Sequence, residues 1–448
     1  MDTTGFRLPR VHLPRPGIDL AKWAVVACDQ YTSEPDYWHR VERDVGDAPS
    51  TLHLIYPEAF LGAGDSAERI ARIQQTMRRY LDEGLLVEHE GAILVERTLD
   101  DRMVGARTRR GSTRTRRGLM LELDLEHYDF RPGSTSLIRP TEGTIVERLA
   151  PRIEVRRDAE LELPHILVLI DDPERTVIEP IAAARDALAP LYATALMQGG
   201  GHVAGYAVAA AATQRAVQAL RALGGAQTFA ARHGVTPDTP PMLFAVGDGN
   251  HSLATAKSIW ERVKGSVGMQ HPSRWALVEV ENIHDPALAF EPIHRVLFGV
   301  RADVRRALAD TFGARLSCTD VASGDALRER VHAATRGTHH AFGLISPGPR
   351  FSLIEIADPP STLAVGTVQP VVDKLVEQGA ATHVDYVHGY DVLERLALEP
   401  GNAGIHLAPV DKSDLLRMVV REGVLPRKTF SMGEAHEKRF YVEARRIR

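Results

Sequence analysis

The stretch that decides the fold runs from residue 242 to residue 252: Met242-Leu243-Phe244-Ala245-Val246-Gly247-Asp248-Gly249-Asn250-His251-Ser252. It begins with an apolar run and ends in small polar residues, and the residues that follow, up to Lys264, repeat apolar side chains at helical spacing. This pattern predicts a strand, a tight loop and a helix. Because the first N–H groups of a helix lack partners within it and its dipole favours negative charge, the loop is expected to hold an anion such as phosphate.

Helix and strand patterns alternate on both sides of this loop. The segment Ile70–Leu81 has apolar residues at helical spacing, and Ile166–Ile170 is a continuous apolar run typical of a fully buried strand. Further strands are predicted at 275–280, 341–345 and 351–356, and further helices at 207–223 and 304–312. The chain is therefore expected to have an α/β fold of the mixed α+β type.

The sequence predicts three regions. The Thr- and Pro-rich stretch 234–241 is typical of a linker. It separates an N-terminal mixed α/β domain, residues 1–233, from an α/β region at 242–360 and a third α/β region at 361–448, and the last two could share one core. Near the end of the third region, residues 431–434 match a helix capping box, but the alternation at 440–444 favours a strand.

Composition narrows the classes of function. The chain has 448 residues, 44% of them hydrophobic, and a formal net charge of -5, which argues against a general attraction to nucleic acid. The two cysteines, Cys28 and Cys318, cannot form a disulfide framework and fit a reducing cytoplasm. No apolar run approaches the roughly 20 residues that span a bilayer. We therefore expect a soluble cytoplasmic protein, in an oligomeric state that the sequence leaves open.

The Asp248 loop offers several groups suited to an anion. Gly249 lets the backbone approach a ligand, Asn250 or Ser252 can cap the helix, and His251 can hydrogen-bond an oxygen. An ordinary Asp-Gly turn is the alternative. The chain lacks a GxxxxGK[ST] loop, an HExxH motif, a GxSxG motif and a pair of CxxC motifs, and no metal site made by protein ligands alone is expected.

A second candidate group lies about a hundred residues upstream. Glu142 is a candidate general base, with Arg139 and Thr144 close to it in sequence and Pro140 stiffening the approach. The alternative is a surface ion pair between Glu142 and Arg139.

Two other segments are less suited to ligand binding. Gly199, Gly201 and Ala204 match a relaxed dinucleotide fingerprint, but no clear strand precedes them, which argues against a Rossmann site. His202 in this loop remains a candidate for substrate binding. The arginine-rich segment 102–117 could contact phosphate, but its Thr-Arg alternation and glycines favour an exposed hairpin.

Five segments together resemble the bacterial family catalogued as domain of unknown function 1015: Asp29–Thr32, Arg139–Thr144, Phe244–His251, Glu291–Arg295 and Pro426–Ala435. The more usual loop of this family, Asp-Gly-His-His-Arg, is similar to the phosphate loop of the ParB and sulfiredoxin-like superfamily, which includes free-serine kinases. The resemblance implies a ParB/sulfiredoxin-like nucleotide-binding core with additional mixed α/β regions.

The resemblance also implies roles for individual residues. A glutamate in a Pro-Thr-Glu context acts on the substrate hydroxyl in those kinases, which implies Glu142 as the base. The resemblance also implies that Asp248, Gly249, Asn250 and His251 surround the nucleotide phosphates. With the candidates from the local pattern, the predicted catalytic residues are Glu142, Asp248 and His251, the predicted phosphate-binding residues are Gly249, Asn250, Ser252, Lys428 and Thr429, and the predicted substrate-binding residues are Arg139, Thr144 and His202.

This chain departs from the family loop at two positions. Asn250 replaces the first histidine of the family loop and Ser252 replaces its arginine. The second replacement removes a permanent positive charge. Lys428, Arg139 or Lys257 could compensate for it.

The implied function is phosphoryl transfer from ATP or ADP to a small hydroxyl-bearing metabolite, with Mg²⁺ held mainly by the nucleotide phosphates. Free L-serine is the acceptor that the resemblance implies. Two alternatives remain open. One is a ParB-like nucleotide-binding regulator without turnover, and the other is a phosphate-ester hydrolase that uses water as the acceptor.

Overall fold

The computed structural model describes residues 4–32, 34–62, 64–100, 113–146, 149–288, 290–334, 339–426 and 428–448. The chain forms two compact units, Met1–Leu288 together with Gly433–Arg448, and Ala289–Met432. No helix in the described ranges is both long enough and apolar enough to cross a bilayer.

The first unit contains a large mixed sheet with helices. Its strands are β1 (Phe6–Arg7), β2 (Arg10–Pro14), β3 (Leu86–Glu90), β4 (Ile93–Asp100), β5 (Thr113–Asp124), β6 (Ile138–Pro140), β7 (Leu161–Glu162), β8 (Leu167–Ile170), β9 (Ala189–Leu196), β10 (Gly201–Ala207), β11 (Phe244–Asp248) and β12 (Trp275–Asn282). Its helices are α1 (Leu20–Trp23), α2 (Pro35–Val45), α3 (Ser66–Asp82), α4 (Leu149–Arg157), α5 (Glu179–Ala183), α6 (Ala210–Leu223), α7 (Ala226–His233) and α8 (Asn250–Val267).

The central sheet has the strand order β6-β11-β8-β12-β5-β4-β10-β9, with β1 paired to β5. β6 runs parallel to β11 and β12 runs parallel to β8, whereas the other pairs are antiparallel. One face packs against helices through side chains such as Leu220 of α6 and Trp260 of α8. The mixed α/β class and the predicted strand–loop–helix at 242–264 are therefore confirmed.

The opposite face of the sheet is covered by segments from both ends of the described chain. Val25 and Val26, Trp38 of α2, and Phe440–Val442 form one apolar cluster there. The main chain of residue 12 pairs with Ala444 at 2.7 Å, so the returning segment is fixed to the first unit. The predicted strand at 440–444 is bridged at Phe440 and Ala444, and a short strand follows it.

Charged side chains of the returning segment are buried with it. Arg439 donates through Nε to Glu279 at 2.7 Å and through Nη2 to Glu443 at 2.8 Å, and all three side chains are almost completely buried. Removing a charged partner from such a cluster is strongly destabilising, because the remaining charges lose both water and their partner. Residues 433–448 are therefore an integral part of the first unit.

Among the described residues, the second unit contains a six-stranded antiparallel sheet and a separate two-stranded sheet. Its strands are β13 (Phe290–Pro292), β14 (His294–Phe298), β15 (Leu316–Val321), β16 (His340–Ser346), β17 (Arg350–Ile356), β18 (His383–Val387), β19 (Ala403–Leu407) and β20 (Phe430–Met432), and its helices are α9 (Val304–Phe312), α10 (Gly324–Ala334), α11 (Ala364–Glu377), α12 (Tyr390–Ala397) and α13 (Lys412–Arg421). Strand β21 (Arg445–Arg446) belongs to the first unit. The predicted strands at 341–345 and 351–356 and the helix at 304–312 are confirmed.

The two units differ from the predicted domains. The stretch 234–241 does not separate domains, because it connects α7 to β11 within the first unit, and β11 pairs with β6 and β8 of the same sheet. Its composition produces a local turn, in which Thr239 N donates to Thr236 O at 2.9 Å. Turn-forming residues therefore mark a surface connection here rather than a domain boundary.

Candidate functional site

The loop between β11 and α8 depends on glycine. Gly249 has φ +78°, in the left-handed region, and a Cβ at this position would lie 3.0 Å from both Cα and Cγ1 of Ile166. Asp248 Oδ1 accepts a hydrogen bond from Gly249 N at 2.9 Å. A side chain at 249 would therefore be strained and would collide with the main chain before β8.

The Glu142 segment lies beside this loop. β6 and β11 are parallel neighbours, with Ile138 opposite Phe244 and Pro140 opposite Val246, so both strands end at the same edge of the sheet. Beyond them, Thr141 donates its hydroxyl to Val246 O at 2.7 Å, and Ile145 N donates to His251 Nε2 at 3.3 Å. Half-buried Glu142 lies between these two contacts along the chain.

Two buried polar atoms at this edge have no hydrogen-bond partner within the described part of the chain. Asn250 is 9% exposed, and its amide donates to Val246 O at 3.3 Å while its Oδ1 is unpaired. The hydroxyl of Thr144 is the second such atom. Since leaving a buried polar atom unpaired costs about 1–3 kcal/mol, both atoms fit a polar ligand at this edge.

A lysine that the sequence analysis missed contacts the loop. Lys438 Nζ lies 3.1 Å from Asp248 Oδ2, and Lys438 is only 7% exposed. The returning segment 433–448 brings this amine to the loop from far along the chain. Lys438 and Asp248 therefore form a buried ion pair at the loop, whereas positions 250 and 252 carry uncharged side chains.

Ser252 takes part in a chain of hydrogen bonds. Its hydroxyl lies 2.8 Å from His165 Nε2, and His165 Nδ1 lies 2.8 Å from the hydroxyl of Tyr441, which lies 3.3 Å from Cys28 Sγ. Asp29 Oδ2 lies 3.8 Å from His165 Nε2. Burial raises the pKa of Asp29, but His165 and a hydrogen bond from its neighbouring glutamine outweigh burial and lower it overall, so Asp29 is ionised.

His165 and Tyr441 were not identified from the sequence. His165 immediately precedes the predicted buried strand at 166–170, which is a position where buried strands often present site residues. Nothing in the local pattern links it to Tyr441, which is 276 positions away.

A second cluster of buried charged side chains lies on the neighbouring strands β5 and β12. Arg116 is 3% exposed and its Nε lies 2.7 Å from Glu281 Oε1. Burial raises the pKa of Glu281 to about 8, with Arg116 opposing and two nearby carboxylates reinforcing the shift. Strands β4 and β5 pair antiparallel, but Arg116 on β5 is buried, so the predicted solvent exposure of the arginine-rich segment is wrong at Arg116. The segment 101–112 lies outside the described residues.

Two basic side chains predicted from the sequence bind main-chain carbonyls. Arg139 is 4% exposed and binds the main-chain carbonyls of Ser136, Thr135 and Pro240, so it stabilises the β6 segment instead of presenting its charge to a substrate. Lys257 Nζ donates to Leu125 O at 2.8 Å, which fixes α8 to the segment after β5. Lys428 is exposed and belongs to the second unit.

The remaining two candidates lie on other elements of the fold. Thr429 belongs to the second unit, is buried, and donates its hydroxyl to Pro426 O at 2.6 Å. His202 is exposed on β10, five strand spacings from β11, which is roughly 24 Å. His202 lies in the hairpin between β9 and β10, away from the Asp248 loop, and its role in substrate binding stays a prediction.

Among the described residues, no group of three or more His, Cys, Asp or Glu side chains is placed to hold a metal ion. The candidate site therefore consists of a helix N-terminus, two unpaired polar atoms, a buried lysine and a nearby carboxylate segment.

Solved structures give weak similarities. A free serine kinase in complex with AMP has 13% identity, covers 69% of this chain and 86% of its own, and has a TM-score of 0.34. SbnI with a C-terminal truncation, from Staphylococcus aureus, has 14% identity, coverages of 69% and 83%, and a TM-score of 0.31. A conserved hypothetical protein from Pyrococcus furiosus has 13% identity, coverages of 72% and 90%, and a TM-score of 0.32.

A comparison with curated proteins finds no match. The family model described as "Protein of unknown function (DUF1015)" matches residues 12–376, which is most of the chain and includes both the Glu142 segment and the Asp248 loop. The chain therefore belongs to the DUF1015 family.

Proposed function

We propose that the 248–252 loop binds the phosphates of ATP or ADP and that the protein transfers a phosphoryl group to the hydroxyl of a small metabolite. The observation that carries this proposal is the parallel pairing of β6 with β11, which brings the Glu142 segment beside the start of α8. Phosphoryl transfer requires mainly that the protein position the reactants and stabilise negative charge. The Glu142 segment, the start of α8 and Lys438 are the groups at this edge suited to these two tasks.

The groups around the loop suit a nucleotide. The N-terminus of α8 favours phosphate oxygens, and Lys438, although paired with Asp248, places an amine at the loop that can donate a further hydrogen bond to a phosphate oxygen. The unpaired Oδ1 of Asn250 can accept a hydrogen bond from a ribose hydroxyl or a bound water, and the hydroxyl of Thr144 can donate to a phosphate oxygen. Mg²⁺, held mainly by the phosphates, would neutralise their charge.

The proposal gives the side chains distinct roles. Glu142 takes the proton from the acceptor hydroxyl as general base. His251 accepts from Ile145 N through Nε2, so its neutral ring carries the proton on Nδ1, and it positions the Glu142 segment against α8. Asp248 positions the loop, because one of its oxygens binds Gly249 N and the other binds Lys438. The family resemblance makes free L-serine the first acceptor to test.

Calorimetric titration with ATP and ADP, followed by mass spectrometry of products formed from hydroxyl-bearing acceptors, tests the proposal. Glu142→Gln is expected to keep nucleotide affinity within about twofold and to lower product formation by roughly 10²–10⁴-fold, the usual contribution of a general base. Glu154→Gln, an exposed glutamate on α4, is the matched control and should change neither quantity.

Each outcome discriminates between the alternatives. Nucleotide binding without product from any acceptor would refute the transferase and favour a regulator that binds nucleotide without turnover. Release of phosphate to water alone would favour a hydrolase. Failure to bind either nucleotide would refute the placement of phosphates at Asp248–Ser252.

A further inference from the structure

A cavity of about 130 Å³ lies beside the start of α8 within the first unit. Aliphatic side chains supply much of its lining, including Leu54, Met77, Val155, Leu161, Leu163 and Ile166. A cavity of this size in an apolar environment can hold a benzene ring. Its volume and lining therefore suit the apolar part of a small ligand.

One end of the cavity is polar. Ser252, His165, Tyr441 and Cys28 all border it, and they form the chain of hydrogen bonds described above. Burial raises the pKa of the Cys28 thiol far above its usual range, so this group stays neutral. The polar end thus offers a hydroxyl and an imidazole, the groups that pair well with a ligand hydroxyl.

The charged side chains along the wall are paired with one another. Arg152 Nη2 lies 2.5 Å from Glu58 Oε1, and Arg156 forms a second ion pair with Glu162. All four side chains are largely buried and line the cavity. Each charge in the wall already has a partner. The charged groups of a zwitterionic ligand would therefore lose their hydration on entering and find no free charge in the wall to pair with. A neutral ligand meets no such penalty.

The cavity adjoins the candidate phosphate loop. Ser252 is both a member of the loop and a lining residue, and Thr255, one turn further along α8, also lines the cavity. Ser252 is three residues after Gly249, so a ligand hydroxyl that contacts Ser252 lies close to the first turn of α8.

We infer that this cavity binds the body of the phosphoryl acceptor, and that the acceptor is a neutral alcohol carrying a branched aliphatic or aromatic group about the size of a benzene ring. The inference rests on the proposed function for the identity of the ligand as an acceptor. The ligand's apolar group lies among the aliphatic side chains, and its hydroxyl lies at the Ser252 end, where α8 leads back to the 248–252 loop and the Glu142 segment beside it. Free serine has no group that fills this space.

Benzyl alcohol is the probe for the cavity. Its binding to the full chain is measured by calorimetry and by ligand-observed NMR, without nucleotide. Val155→Trp places an indole into the cavity and is expected to weaken binding at least tenfold. Glu154→Trp adds the same bulk at the neighbouring, exposed position on α4 and should bind as the wild type does. Leu163→Phe narrows the cavity from a different wall and should also weaken binding, in case the first variant folds poorly.

The results separate this inference from the proposed function. Binding that is unaffected by both cavity variants, or that AMP displaces competitively, overturns the inference, since the probe would then lie elsewhere or the cavity would hold the nucleobase. If the cavity variants abolish binding but no nucleotide yields a phosphoryl product, the cavity does bind neutral alcohols and the proposed transferase activity is refuted. Phosphorylation of L-serine at the same rate in wild type and Val155→Trp overturns the inference and keeps the transferase.

Discussion

Gly249→Ala tests how tightly the candidate phosphate loop is held. Alanine at φ +78° costs about 1–2 kcal/mol, because its Cβ approaches the following carbonyl in the left-handed region. The new Cβ would also lie 3.0 Å from Ile166 Cα, a main-chain atom that cannot rotate away, and such overpacking adds roughly 1–3 kcal/mol. The free energy of unfolding should therefore fall by about 2–5 kcal/mol.

Gly133→Ala is the matched control. Gly133 has φ +76°, and a Cβ there would meet no described atom within 4 Å, so its cost should be only the backbone strain of about 1–2 kcal/mol. Denaturant unfolding followed by tryptophan fluorescence reports on the first unit, because Trp23, Trp38, Trp260 and Trp275 all belong to it. Calorimetry with ATP should show weaker binding for Gly249→Ala and unchanged binding for the control.

Equal losses of stability in the two variants would refute the reasoning. Such a result would mean that Ile166 moves aside without cost and that the loop does not need its close approach to the segment before β8. Unchanged ATP affinity in a destabilised Gly249→Ala would place the phosphates elsewhere.

Three further predictions concern buried charges. Lys438→Met removes the amine beside Asp248 and should weaken ATP binding about tenfold or more in calorimetry, while Lys438→Arg keeps the charge and most of the affinity. Arg439→Met leaves two buried carboxylates without their shared partner and should lower the free energy of unfolding in urea by about 3–5 kcal/mol. Burial raises the pKa of Glu281 from 4.5 to about 8 in the folded chain, so its stabilising contribution is complete below the unfolded pKa and is lost as the pH rises through 8. Between pH 5 and pH 8, wild type should therefore lose more than about 1 kcal/mol of stability relative to Glu281→Gln, and parallel losses would contradict this pKa.

Local patterns predicted the local structure well. The strand, loop and helix at 242–264 are confirmed because the signal lies within one continuous stretch, in which an apolar run stops at Asp248 and helical spacing begins after it. The buried strand β8 was predicted for the same reason. The Glu142 segment and the Asp248 loop were both identified from sequence, and the structure brings them together through the pairing of β6 with β11.

Contacts between distant segments could not be predicted in this way. The ion pair of Lys438 with Asp248 and the hydrogen bond of Tyr441 with His165 depend on how residues 433–448 return across the sheet. No periodicity within that segment specifies its partners. The predicted substrate contact of Arg139 rests on a different kind of signal. A guanidinium close in sequence to a candidate base suggests a substrate contact, whereas here it donates to main-chain carbonyls.

The return of residues 433–448 to the first unit also sets an order of events during protein synthesis. A ribosome must make the 144 residues of Ala289–Met432 after the helices and strands up to Leu288 and before Lys438 and Arg439 exist. At about 5–20 residues per second, this interval lasts roughly 7–30 s. Throughout it the nascent first unit has Glu279 without its arginine and an apolar sheet face without Phe440, so this unit completes its core only after the second unit has been synthesised.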